Sequence, residues 1–283
     1  MLESRQRRLG FGLTPDGAEA TEETMSDFRN YQTRMATAGS RIDASIDEGL
    51  RAYMLKVYNL MALGLVITGL AAFGTMMLAT TNDPATAVAT MGNGKMLTSL
   101  GVALYGSPLK WVVMLAPIGM VFFLSARIQS MSVSGAQTAF WVFAGLMGLS
   151  LSSIFLVYTS ASIVQTFFVT AAAFGALSLF GYTTKRDLTA MGSFLIMGVF
   201  GILIAMVVNI FLQSSALQFA ISAIGVLVFA GLTAYDTQKI KEMYFDGDDV
   251  LVSGRKAIMG ALTLYLDFIN LFSFLLSFLG NRE

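Results

Sequence analysis

A chain of 283 residues that is 55% hydrophobic and 13% charged, with a mean hydropathy of +0.67, carries more apolar side chain than a soluble domain of its size hides. It reads as a polytopic membrane protein. Eighteen basic residues balance eighteen acidic ones, so nothing points to nucleic acid or to another strongly charged partner. Cysteine and histidine are both absent, which excludes disulfides, thiolate nucleophiles, histidine bases and the usual zinc ligands. No cofactor motif is present either, and a proton switch near neutral pH has to be a carboxylate or a lysine.

Residues 1–44 are polar and mixed in charge, with Arg5, Arg7 and Arg8, a turn-like TPDG at 14–17, and Glu22 beside Glu23. This composition predicts a disordered tail. The first apolar run begins only near Val57, too late for a secretory signal, so the first span is expected to act as an uncleaved anchor. SIDE at 45–48 has the spacing of a capping box, which predicts a helix start at Ser45 and divides the chain into a tail, 1–44, and a membrane domain, 45–283. A helix crosses the hydrocarbon core with roughly 20 apolar residues. Seven segments qualify, at 57–79, 109–130, 137–158, 161–183, 190–212, 216–240 and 257–279, and the predicted fold is an all-α, seven-transmembrane-helix bundle. Pro117 inside the second span should bend it, and Trp111 at its start fits an interfacial belt. The glycines of spans three and five, Gly145, Gly148, Gly198 and Gly201 among them, read as helix contacts.

Lysine and arginine assign the sides of the bundle, because cytoplasmic loops carry the excess. Counted over alternate loops, fifteen fall on the side of the N-terminus and three, Lys95, Lys110 and Arg282, on the other. The expectation is an N-terminus in the cytoplasm and a C-terminus outside.

Inside the spans ionisable residues are few: Arg127, Asp236 and Asp267. An intramembrane charge costs about 2.5–3.5 kcal/mol at a helix centre, so it faces the bundle interior or water and finds a partner. Asp267 lies near the middle of span seven on a stripe with Gly260, Thr263, Asn270 and Ser277, interrupted by Phe274. Gly260 and Ser277 fit ordinary helix packing. Asp236 shares its face with Thr233, Phe229, Gly225 and Ser222. Its depth turns on where the helix ends: if it runs on to Tyr244 with Lys239 and Lys241 snorkelling the acid is inside, whereas a stop at Ile240 leaves it nearer the interface. Two carboxylates in one dry site cannot both ionise cheaply, and the pair titrates as a unit. Arg127 is either a third member of such a latch or a cation snorkelling to the headgroups.

GLTAYDTQKI at 231–240, LYLDFINLF at 264–272 and LKVYNLMALGLVITG at the start of span one together resemble the Bax inhibitor-1 family of transmembrane BAX-inhibitor-motif proteins, over roughly residues 45–280. The resemblance implies a seven-helix fold in a bacterial cytoplasmic membrane, a calcium leak, and an aspartate pair, Asp236 and Asp267, acting as pH sensor with Arg127 as its latch. Thr233, Thr263 and Asn270 are then candidates for the ion pathway. Calcium takes six to eight oxygens, so this interior suits weak passage rather than tight metal binding. The long tail and the loop at 80–108 exceed the compact bacterial pattern.

Two other functions bear weighing. An aspartyl protease would use the same dyad for acid–base hydrolysis. Its Gly-x-Gly-Asp motif is replaced by Leu264-Tyr265-Leu266-Asp267 and no Pro-Ala-Leu follows, so the chain reads as a non-enzyme with no catalytic residues. A role as partner of a membrane-anchored quality-control protease would rest on the polar tail. A retinal-binding pump is excluded because span seven has no lysine.

Overall fold

The computed structural model describes the backbone of residues 15–282 and the side chains of residues 47–282. The chain falls into two units, Met1–Gly49 and Leu50–Glu283. In the first, the described backbone is helical from Pro15, where α1 (Pro15–Ala79) begins. Residues 15–44, expected as a disordered tail, are therefore helix, and Ser45 stands inside it rather than at its start. Proline suits a first helical position, and the run that follows is rich in alanine, glutamate, methionine and arginine, all good helix formers. The remainder of the expected tail, 1–14, lies outside the described residues.

The second unit carries the membrane-length helices. Seven helical stretches are long and apolar enough to span a bilayer: Asp47–Ala79, Leu109–Ser130, Val133–Val157, Ser160–Thr183, Thr189–Leu212, Ser215–Glu242 and Val250–Leu279. They coincide with the seven predicted segments, with earlier starts for the first, the third and the last. The helices after α1 are α2 (Ser99–Gly101), α3 (Leu109–Arg127), α4 (Val133–Leu151), α5 (Ile154–Val157), α6 (Ser160–Thr183), α7 (Thr189–Leu212), α8 (Ser215–Glu242) and α9 (Val250–Leu279). α3 runs uninterrupted through Pro117, and Trp111 stands exposed in its first turn. The outer faces carry large apolar side chains such as Phe122, Phe211 and Leu227, each more than two-thirds exposed. That surface is stable only against lipid.

The loop at 80–108 holds a small antiparallel sheet in the order β1-β3-β2, built from β1 (Thr80–Thr81), β2 (Ala89–Thr90) and β3 (Met96–Leu97). It rests on the junction of spans three and four, where Asn93 donates to the Leu156 carbonyl at 2.9 Å and Lys95 to the Phe155 carbonyl. Residues 280–282 reach the same junction: Thr159 N–H donates to Asn281 O, Asn281 N–H donates to Ser162 Oγ, and the Arg282 guanidinium lies 5.7 Å from the Tyr158 ring. These loops gather at one end of the unit, as alternating spans require.

α9 is the centre of the unit. Half of its most apolar window is buried, against 11% for α7 at the periphery. Tyr265, fully buried, packs edge-on against Phe140 and Phe143, with ring centroids 5.9 and 5.2 Å away. Its hydroxyl bonds Thr68 at 2.6 Å, and Thr68 in turn reaches the Ala144 carbonyl at 2.9 Å, tying spans one, three and seven together. Of the glycines expected at helix contacts, Gly148 meets the Thr68–Ala72 backbone and Gly198 faces Val228. Gly145 and Gly201 have nothing within 4 Å of a built Cβ and make no such contact.

Candidate functional site

α8 and α9 present the two intramembrane acids to one another. α8 opens with Ser214, whose side chain accepts from Leu217 N–H, and closes with Lys239 and Lys241 in its last turn, where cations complement the helix dipole. α9 opens with Asp249, which accepts from Val252 N–H at 2.7 Å. Because α8 continues to Glu242 rather than stopping at Ile240, Asp236 lies six residues, about 9 Å, inside its end. The helix end falls two residues beyond Ile240 and two short of Tyr244, which sets the acid deeper than the shorter alternative.

The Asp236 and Asp267 carboxyl groups lie within hydrogen-bonding reach of one another. A bond between two carboxyls needs a proton on one of them, because a carboxylate only accepts. Asp267 is 5% exposed and Asp236 is half-buried, so the pair has an inner member cut off from solvent and an outer member that is not. Among the described residues no hydrogen-bond donor faces the buried Asp267 Oδ2.

The other expected site residues are placed differently. Thr233 is fully buried, and its hydroxyl is spent on the Phe229 carbonyl of its own helix at 2.8 Å. Thr263 is half-buried one turn before Asp267. Asn270, one turn after it, donates to the Leu266 carbonyl at 2.8 Å and lines a cavity of about 260 Å³ with Gln218, Ser273 and Ser277. Arg127 is not brought to the pair. It is exposed in the last turn of α3, where a cation is stabilised by the helix dipole and by water, and among the described residues no ion pair joins it to either aspartate. Of the two roles open to it, the geometry supplies the surface cation. Among the described residues no three acidic side chains converge on a common point.

Two features escaped the sequence reading. One is a hydroxyl chain across three helices, Tyr58 to Ser178 at 2.6 Å and Ser178 to Thr237 at 2.9 Å, which ties α1 and α6 to α8 one residue beyond Asp236. The only available signal was a set of lone hydroxyls in apolar helices, which packing alone also explains. The other is a clamp on the end of α8. Gln238 accepts from Leu188 N–H at 2.9 Å and donates to Arg186 O at 2.8 Å, and Lys241 donates to Tyr182 O at 2.8 Å. In the same connection Asp187 accepts from Thr189, whose hydroxyl and N–H hold the carboxyl below the ordinary 3.8.

Comparison with known proteins gives this arrangement a lineage. The family model described as "Inhibitor of apoptosis-promoting Bax1" matches residues 50–283. An uncharacterised protein of Rickettsia prowazekii is 47% identical over 251 residues, covering 89% of this chain and 98% of its own length. The inner membrane protein YbhL of Escherichia coli K12 is 46% identical over 237 residues, covering 83% and 94%. An uncharacterised membrane protein of Streptococcus pyogenes is 31% identical over 238 residues, covering 84% and 96%. With residues 50–283 matched by the family model and relatives this similar over most of both chains, this chain is a multi-pass membrane protein that belongs to the Bax inhibitor-1 family.

Proposed function

We propose that the protein is a pH-sensitive cation leak, carrying calcium weakly across a bacterial inner membrane, with the Asp236–Asp267 pair as its proton-operated latch. The observation that supports this most is the close approach of two carboxyl groups, one from α8 and one from α9, within hydrogen-bonding reach inside the membrane unit. Loss of the shared proton leaves two like charges in contact, and addition of a second proton removes the charge from the bond; either change weakens the hold of α8 on α9. The cavity that Asn270, Ser273 and Ser277 line together with Gln218 and apolar side chains supports a path that meets α9 one turn from Asp267. The name of the Escherichia coli relative and the fifteen-to-three distribution of lysine and arginine support an inner-membrane setting with the N-terminus in the cytoplasm.

Calcium entry into proteoliposomes, followed with an entrapped dye from pH 5 to 8, tests the reading. Wild-type entry should vary with pH, and Asp236→Asn/Asp267→Asn should flatten the profile. A double variant whose profile matches wild type would sink the latch.

A further inference from the structure

A groove runs along the seam between α1 and α6, with a cavity of about 530 Å³. One wall is Met54, Leu55, Tyr58 and Met61, recurring at helical spacing, and the other includes Phe174 and Leu179. Gly175 sits in the floor, and a Cβ built there meets nothing within 4 Å, so the space belongs to the groove and not to a neighbouring side chain. The wall hydroxyls of Tyr58 and Ser178 bond one another, which leaves an apolar lining with no unmet polar group. From Arg51 to Ala62 the groove is eleven residues long, about 16 Å, or half of a hydrocarbon core of about 30 Å.

The groove has a polar end. Arg51 stands there, exposed, facing Tyr182 on the other wall, and Lys241 is held against Tyr182 with its ammonium 5.1 Å from the ring. Lys185 and Arg186 follow within four residues of Tyr182. Nearby acids on the same segments are Asp47 and Glu48 before Arg51, Glu242, which pairs with Lys239, and Asp187, which accepts from Thr189 N–H. Cations exceed acids at this end, and the length and lining below it suit one acyl chain. We infer that the α1–α6 seam is a binding site for an anionic phospholipid, its phosphate at Arg51 and Tyr182 and an acyl chain against Gly175.

Native mass spectrometry of the full chain in detergent, titrated with phosphatidylglycerol or phosphatidylethanolamine of identical acyl chains, tests this. Wild type should retain phosphatidylglycerol about five-fold more tightly, the preference that roughly one cation at a lipid surface confers. Arg51→Gln, an exposed change that leaves the helix intact, should equalise the two lipids. Gly175→Leu, which fills open space, should lose one bound lipid of either kind. Equal retention by wild type, a preference unchanged in Arg51→Gln, or an unchanged lipid count in Gly175→Leu would each overturn the site. A dimer that disappears in Gly175→Leu would assign the groove to a second copy of the chain instead.

Discussion

Gly181→Ala should damage the protein far more than its single added methyl suggests. Gly181 is buried in α6 where α8 passes closest, and a Cβ there would meet the Ala234 carbonyl oxygen, with the Ala234 carbonyl carbon and Cα at 2.9 Å. Backbone atoms cannot rotate away as a side chain can. To reach an ordinary separation of 3.4 Å from those two carbons alone, α8 has to retreat by about 0.5 Å, and further for the oxygen. Ala234 is two residues from Asp236 and three from Thr237, so the retreat shifts the carboxyl relative to Asp267 and stretches the 2.9 Å Ser178–Thr237 bond. Overpacking of this kind costs roughly 1–3 kcal/mol, which lowers a melting temperature by roughly 2–12 °C in a chain of this order of size. Scanning fluorimetry in detergent measures that loss, and the proteoliposome assay should show faster calcium entry at the pH where wild type is slowest. Gly175→Ala, less than two turns away on the same helix but facing open space, is the control and should melt at or above the wild-type temperature. If Gly181→Ala melts with Gly175→Ala, the close α6–α8 approach is not what holds Asp236 in place.

Two further outcomes follow from polar contacts described above. Thr68→Val keeps the shape of the side chain but leaves the Tyr265 hydroxyl fully buried without its 2.6 Å partner, at a cost of about 1–3 kcal/mol. Adding Tyr265→Phe should recover part of the lost melting temperature, and a double variant that loses the sum of the two would argue against their coupling. Asp187 is held below the ordinary carboxylate range by Thr189, so its contribution to stability is complete above about pH 4 and disappears as pH falls through its lower folded value. Melting temperatures of wild type and Asp187→Asn should therefore differ by a constant amount from pH 5 to 7 and converge on the acid side. Divergence on acidification would reverse the assigned sign.

The seven spans were legible because a membrane core imposes length and polarity on each helix independently of its neighbours, which leaves a signal in every segment. The aspartate pair was legible for the same reason: an acid in a long apolar run is conspicuous wherever it falls. Arg127 was not, because a cation at a helix end has the same sequence appearance whether it turns inward or outward, and only the packing of α3 decides. The Tyr58–Ser178–Thr237 chain was invisible because hydroxyls in apolar helices carry no periodic signature. The sheet in residues 80–108 escaped because its strands are two residues each, too short for alternation to show. The backbone of residues 15–44 is helical where polar composition alone suggests disorder, and their alanine and glutamate content is the signal for the helix.

The fastening of residues 280–282 to the Tyr158–Ser162 corner makes α9 a lever with a fixed pivot. Asp267 sits twelve residues from the end of α9 at Leu279, a radius of about 18 Å. A tilt of about 5° about that pivot sweeps the carboxyl through roughly 1.6 Å, enough to break a hydrogen bond whose useful range is about 0.5 Å wide. The same tilt moves the opposite end of α9, at Val250, by more than twice as far. A small angular change at the pivot is thus converted into a parted carboxyl pair and a wide displacement at the far side of the membrane, with little change in packing near the Tyr158 corner.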